Sequence, residues 1–264
     1  MGFKSCPKGV KKQLIARFPQ AFQCFPSLID TRLAVRTKRD ETIIVLDGNV
    51  MLMSVPQSAK SLDEFVQIVF SSLYRAIVTA NVTVVVFDHP GCLTAAKKAE
   101  QSKRDASQQQ HQHIVHSEDM IVDENHAHTD DYTVDYLESL EDLHPLVKTR
   151  ASRLRLFDEV TMRAFRKLEN NLKWSGGHLL LDGIDPLGAA RAPGETRNPQ
   201  IVSSSIEVGQ LFRRTIQIGE GDLLLSYVGQ KARQLASEGV FFDDYSLVMT
   251  CTIDTDSFAI EIMV

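Results

Sequence analysis

Six carboxylates in this chain have the spacing and setting of metal ligands. Glu220 and Asp222 lie in Gly219-Glu220-Gly221-Asp222, and Asp254 and Asp256 lie in Thr252-Ile253-Asp254-Thr255-Asp256, each pair spaced i, i+2. Asp47 follows the apolar run Thr42–Leu46, and Asp88 follows Val82–Phe87. In extended backbone, residues i and i+2 point to the same side, so Asp254 and Asp256 can face one site. Glu220 and Asp222 can do the same at a helix start if Gly221 turns the chain sharply. Two like unit charges ~4 Å apart repel by about 4 kcal/mol at an effective dielectric near 20. Six converging carboxylates therefore call for divalent cations. Mg²⁺, or Mn²⁺ in its place, is the natural choice, because it takes hard oxygen ligands and works on phosphates.

The elements that must position these acids are legible as a βαβ unit. Thr42–Leu46 reads as a strand buried on both faces, ending in the turn Asp47-Gly48-Asn49. Ser61-Leu62-Asp63-Glu64 is a capping box. Phe65, Ile68, Val69, Leu73, Ala76 and Ile77 continue it as a helical face up to Asn81. A second strand runs to Phe87-Asp88. This order predicts a parallel sheet, whose ligands bind beyond the carboxyl ends of its strands. Asp47 and Asp88 both fall there, although either alone also fits a helix or turn cap.

Further along, Leu93–Ala106 reads as a helix carrying Lys97, Lys98, Lys103 and Arg104, with Lys97 and Arg104 on one face. Residues 107–147 hold ten acids, six histidines and no Lys or Arg, and read as an acidic, His-rich flexible insert or lid. The histidines (111, 113, 116, 126, 128 and 144) fit a solvated loop better than a metal site. Lys148–Lys173 reverses the charge, with eight Lys/Arg against three acids, and reads as a basic helix with Leu154, Phe157, Val160, Met162, Phe165 and Leu168 inward. Its charged face fits a phosphate-backbone surface or plain solvation. His178–Leu181 suggests a short strand, and residues 182–200 a Gly/Pro-rich loop. A helix follows from Asp222 through Leu235, with Leu224, Tyr227, Val228 and Leu235 inward, and Tyr245–Ile253 reads as another buried strand.

The bulk composition sets broad limits. The 264 residues, 43% hydrophobic, suffice for one large domain, and the expectation is a single α/β domain over 1–264. A net charge of −5 carries no global signature of nucleic-acid binding, yet a channel can be locally basic on an acidic protein. Cys6, Cys24, Cys92 and Cys251 lack CxxC spacing and read as reduced thiols of an intracellular protein. No apolar run approaches the ~20 residues of a membrane span, so no membrane partner is expected. Residues 1–40 hold nine Lys/Arg against two acids and fit a basic surface helix or a mitochondrial presequence.

Taken in order, Asp47, Phe87-Asp88, the following Lys/Arg helix, Gly219-Glu220-Gly221-Asp222 and Asp254-Thr255-Asp256 resemble the FEN/XPG group of structure-specific 5′ nucleases and the related XRN exonucleases. Met1-Gly2-Phe3 is similar to the flap-endonuclease start. The Gly-Glu-Gly-Asp looks most like the corresponding motif of the XRN branch. The resemblance implies a PIN-like or FEN-like nuclease domain with a mainly parallel central sheet flanked by helices. It assigns Asp47, Asp88, Glu220, Asp222, Asp254 and Asp256 to a site for two Mg²⁺ or Mn²⁺ ions. It gives Lys97 and Arg104 the scissile phosphate, and Gly2, Lys98 and Lys103 a place along the nucleic acid. The implied reaction is in-line phosphodiester hydrolysis of DNA or RNA bearing a 5′ end or flap, in the nucleus or the mitochondrion.

Three departures accompany the resemblance. The family's basic helical arch falls where this chain carries its acidic insert. Asp222 and Asp254 are 32 residues apart, nearer the XRN spacing. The sequence also stops shortly after Asp256, before the family's helix-hairpin-helix region and a further aspartate, which is the pattern expected of a fragment or of a fold with altered activity. The main rival is a non-catalytic nuclease-fold subunit that binds nucleic acid or protein partners in a nucleoprotein complex. A second rival, another Mg²⁺-dependent phosphoryl-transfer enzyme, lacks a phosphate-cradling glycine loop, and the stretch starting Asp254-Thr255-Asp256-Ser257 does not complete a DxDx(T/V) nucleophile motif.

Overall fold

Alternating strands and helices build an α/β sheet covered on both faces. The computed structural model describes residues 39–88, 133–148, 150–191, 195–214, 218, 221–240 and 247–251. Its elements in chain order are β1 (Thr42–Asp47), α1 (Gly48–Met53), α2 (Leu62–Thr79), β2 (Val82–Val86), α3 (Val134–Ser139), α4 (His144–Lys148), α5 (Arg150–Ser175), β3 (His178–Ile184), β4 (Gln200–Ser203), α6 (Ile206–Leu211), α7 (Gly221–Ser237) and β5 (Leu247–Cys251). The sheet order is β4-β3-β2-β1-β5. β1 pairs in parallel with both β2 and β5, β2 pairs in parallel with β3, and β4 runs antiparallel on the β3 edge. The expected mainly parallel α/β sheet is therefore present.

The residue alternation of β1–β3 divides the core in two. Ile44, Leu46, Val85, Leu179 and Leu181 face α2 and α5, meeting Phe65, Val69, Leu73, Phe157 and Leu168. Ile43, Val45, Val84, Val86 and Leu180 face the other way, toward Val208, Phe212, Leu224, Val228 and Leu235 of the α6–α7 side. Strands covered on both faces read as unbroken apolar runs, which is why β1 and β2 are plain in the sequence.

α2 starts where the capping box puts it. Ser61 Oγ accepts from the Glu64 N–H at 3.4 Å, and Glu64 Oε2 accepts from the N–H groups of Ser61 and Lys60 at 2.9 and 2.7 Å. These bonds hold the Glu64 carboxyl below its ordinary range.

Several sequence expectations need correction. The acidic insert does not run as a flexible segment to residue 147. From Thr133 onward it forms α3 and α4, because Leu137 and Leu143 are fully buried against the α2–α5 layer. His144 belongs to that packing: its ring lies 5.2 Å from Phe65, and its Nε2 is 2.8 Å from the Ala59 carbonyl. β3 extends through Asp182, Gly183 and Ile184, so the Gly/Pro loop begins at Asp185 rather than at residue 182. Gly183 adopts φ 94°, open to glycine, where the pairing with β4 shifts register. Tyr227 is 37% exposed, and Leu225 at 1% takes the inward place.

The face of α5 read as basic is partly internal. Arg155 is buried, and Arg163 pairs with Glu159 and Glu138 at 2.6 and 2.8 Å. Arg166, Lys167 and Lys173 remain exposed.

Candidate functional site

The strand order reverses beside β1. The chain steps from β1 to β2 to β3 on one side, and β5 returns on the other. In open α/β sheets the carboxyl ends of the strands at such a reversal border a crevice where ligands bind. Asp47 ends β1 there. Its Oδ1 accepts from the N–H groups of Asn49 and Val50 at 2.9 and 3.3 Å, which caps α1.

Gly48 is required at this corner. A Cβ there would lie 2.2 Å from a ring carbon of Phe87, which is 1% exposed. The ring fills the space over Gly48 and fastens the end of β1 to the residue that precedes Asp88.

Asp88 follows β2 by two residues and reaches across the chain. Its Oδ1 accepts the Gly221 N–H at 2.7 Å, joining positions 133 residues apart. Gly221 is the first residue of α7, whose free N–H groups and dipole favour a negative charge. A Cβ on Gly221 would stand 2.5 Å from the same Asp88 oxygen and 3.7 Å from Asn49 Nδ2. Only glycine lets the helix end approach so closely. The corner thus gathers Asp47, Asn49, Asp88 and the start of α7.

The other predicted site residues divide as follows. The backbone of Asp222 lies in the first turn of α7, beside Gly221. The last residue of β5, Cys251, pairs through its backbone with Leu46, one residue before Asp47, and Asp254 is three residues further along the sequence. Glu220, Asp254, Asp256, Lys97, Lys98, Lys103, Arg104 and Gly2 lie outside the described residues. Among the described residues, no group of three or more His, Cys, Asp or Glu side chains is gathered to hold a metal ion. Asp47 and Asp88 are hard oxygen donors of the kind Mg²⁺ takes, and among the described residues the second oxygen of Asp88 has no hydrogen-bond partner.

Sequence reasoning missed two features. Asn49 was read only as part of a turn, although Asp-Gly-Asn at a strand end was a visible signal. Buried acid–arginine pairs were missed altogether. Asp158 on α5 accepts Arg197 Nε and Nη2 at 2.5 and 2.7 Å and the Asp185 N–H at 3.1 Å. Asp185 accepts Arg191 Nε and Nη2 at 2.6 and 2.8 Å, with the N–H groups of Leu187 and Asn198 at 3.1 and 2.9 Å. Burial pushes Asp158 up, against the pull of Arg197. Burial also raises Asp185, but the Arg191 fork and two N–H groups outweigh it and hold that carboxyl below its ordinary value. Each of these acids is matched by an arginine, which suits a clamp on the 185–198 loop and not a cation site.

The chain was compared with family models, curated proteins and solved structures, and no match was found in any of the three.

Proposed function

We propose that this chain is a metal-dependent 5′ nuclease-like domain of PIN-like architecture that hydrolyses phosphodiesters of DNA or RNA. The observation that carries the reading is the hydrogen bond from the Gly221 N–H to Asp88. It brings Gly221, at the start of α7, to the strand ends that hold Asp47 and Asp88, which supports a shared ligand set there. Asp47, Asp88, Glu220, Asp222, Asp254 and Asp256 would hold two Mg²⁺ or Mn²⁺ ions. Such ions supply an activated water and stabilise the leaving oxygen. Within the protein, Asp88 uses one oxygen to seat α7 and keeps the other for the site. Gly221 keeps the approach open, and Phe87 over Gly48 fixes the spacing of the β1 and β2 ends. Lys97 and Arg104 are proposed to hold the scissile phosphate and offset charge that develops on it.

A second reading is a non-catalytic nuclease-fold subunit that binds nucleic acid or scaffolds a complex. Asp47 and Asp88 both accept backbone N–H groups, which is enough to account for them as caps. The two readings separate by cleavage of 5′-flap DNA and 5′-phosphorylated single-stranded RNA in Mg²⁺, beside an Asp88→Ala/Asp256→Ala control. The nuclease reading expects products from the wild type alone. Intact substrate with retained binding would overturn it in favour of the scaffold.

A further inference from the structure

We infer that the buried Asp182–Arg214 pair is a positioning clamp that sets where the first turn of α7 meets Asp88. Asp182 stands in register with Val86, and Val86 with Asp47, so Asp182 lies level with the ends of β1 and β2. Alternation puts Asp182 on the Leu180 face of the sheet, the face that α7 covers. Its main chain and its side chain do different things. The Asp182 carbonyl accepts the Phe87 N–H at 2.8 Å, which fixes the residue before Asp88. Its carboxylate takes both terminal nitrogens of Arg214: Nη2 donates to Oδ1 at 3.0 Å and Nη1 donates to Oδ2.

Arg214 lies seven residues before Gly221, and each of the two is tied to a neighbouring strand end. Arg214 is held to Asp182 of β3, and Gly221 to Asp88 beyond β2. The two side chains are 8% and 3% exposed. A buried ion pair is a poor source of stability compared with apolar packing, since both charges must be desolvated. A planar guanidinium fork does specify orientation. That suits a part whose task is to deliver the Gly221 N–H to one carboxylate oxygen.

The test uses Arg214→Gln and Arg214→Lys in the full chain, with two readouts. The first, independent of any catalysis, is hydrogen exchange at the Gly221 amide. The clamp predicts exchange about tenfold faster in Arg214→Gln, with β1 and β2 protection unchanged and partial recovery in Arg214→Lys. The second rests on the nuclease reading. The Mg²⁺ concentration for half-maximal cleavage should rise roughly tenfold in Arg214→Gln, while the rate at saturating Mg²⁺ stays within about threefold. Unchanged Gly221 exchange in a folded Arg214→Gln protein would overturn the clamp. So would loss of the fold in both variants, which would make the pair a general core support. Absence of cleavage in the wild type would defeat the nuclease reading alone, because the exchange readout still decides the clamp.

Discussion

Replacing Gly221 with alanine should separate the chemistry of this corner from its stability. The new Cβ would lie 2.5 Å from Asp88 Oδ1, where ordinary contact begins near 3.4 Å, so the carboxylate must retreat by about 0.9 Å. Asp88 is partly exposed and its carboxylate is the end of a rotatable side chain, so the clash is relieved by losing the hydrogen bond to the Gly221 N–H. Bonds to a charged group contribute about 1.5–3 kcal/mol. Alanine offsets up to about 1 kcal/mol of that through its helix propensity. The net destabilisation should be about 1–2 kcal/mol, measured by urea unfolding at neutral pH. The proposed nuclease chemistry would be far less tolerant, because a misplacement of about 1 Å at a reacting centre costs on the order of a hundredfold in rate. Single-turnover cleavage of 5′-flap DNA or 5′-phosphorylated RNA should therefore fall about a hundredfold in a protein that remains folded. Full activity in folded Gly221→Ala would refute the reasoning, because Asp88 would then have no exacting position to keep.

Gly48→Ala should be costlier to the fold. Its Cβ meets the buried Phe87 ring at 2.2 Å, and overpacking of this kind costs about 1–3 kcal/mol, readable as a lower urea midpoint. Arg197→Ala leaves Asp158 unpaired at 1% exposure, and should destabilise by about 3–5 kcal/mol. The double replacement Asp158→Leu/Arg197→Met should recover much of that loss. His178 gives a pH signature: burial, followed by the charge of Arg39 and against the pull of Glu207, lowers its pKa below the ordinary value. The unfolded chain then binds the extra proton, so stability from this group is complete above about pH 6.5 and is lost as pH falls toward the folded value. His178→Gln should flatten the pH dependence of the unfolding midpoint in that window, and an unchanged slope would contradict the assignment.

What the sequence reveals follows the kind of force involved. β1 and β2 are legible because strands covered on both faces must be apolar throughout, and the start of α2 because Ser61 and Glu64 cap it reciprocally. The end of the acidic insert is concealed by its average composition: Leu137 and Leu143 anchor α3 and α4 among acids that stay in water. Tyr227 is misplaced because it borders the apolar stripe of α7, where a neighbouring Leu225 fills the core and the phenol keeps its polar end wet. The 185–198 loop is held by Asp158, Asp185, Arg191 and Arg197, and ion pairs between distant positions leave no periodicity to read. At the candidate site, Asp47 and Asp88 are visible as acids that end apolar runs. The approach of Gly221 to Asp88 is not visible, because it depends on how α7 lies across the sheet.

The proposed nuclease function requires a two-metal site at these strand ends and the start of α7. Anomalous diffraction from crystals soaked in Mn²⁺ tests it most directly. Two peaks about 4 Å apart are expected, with oxygens of Asp47 and Asp88 among the ligands at ~2.0–2.2 Å. Well-ordered Asp47 and Asp88 with no anomalous peak near either carboxylate would contradict it, and would leave the two aspartates as the helix caps they also are.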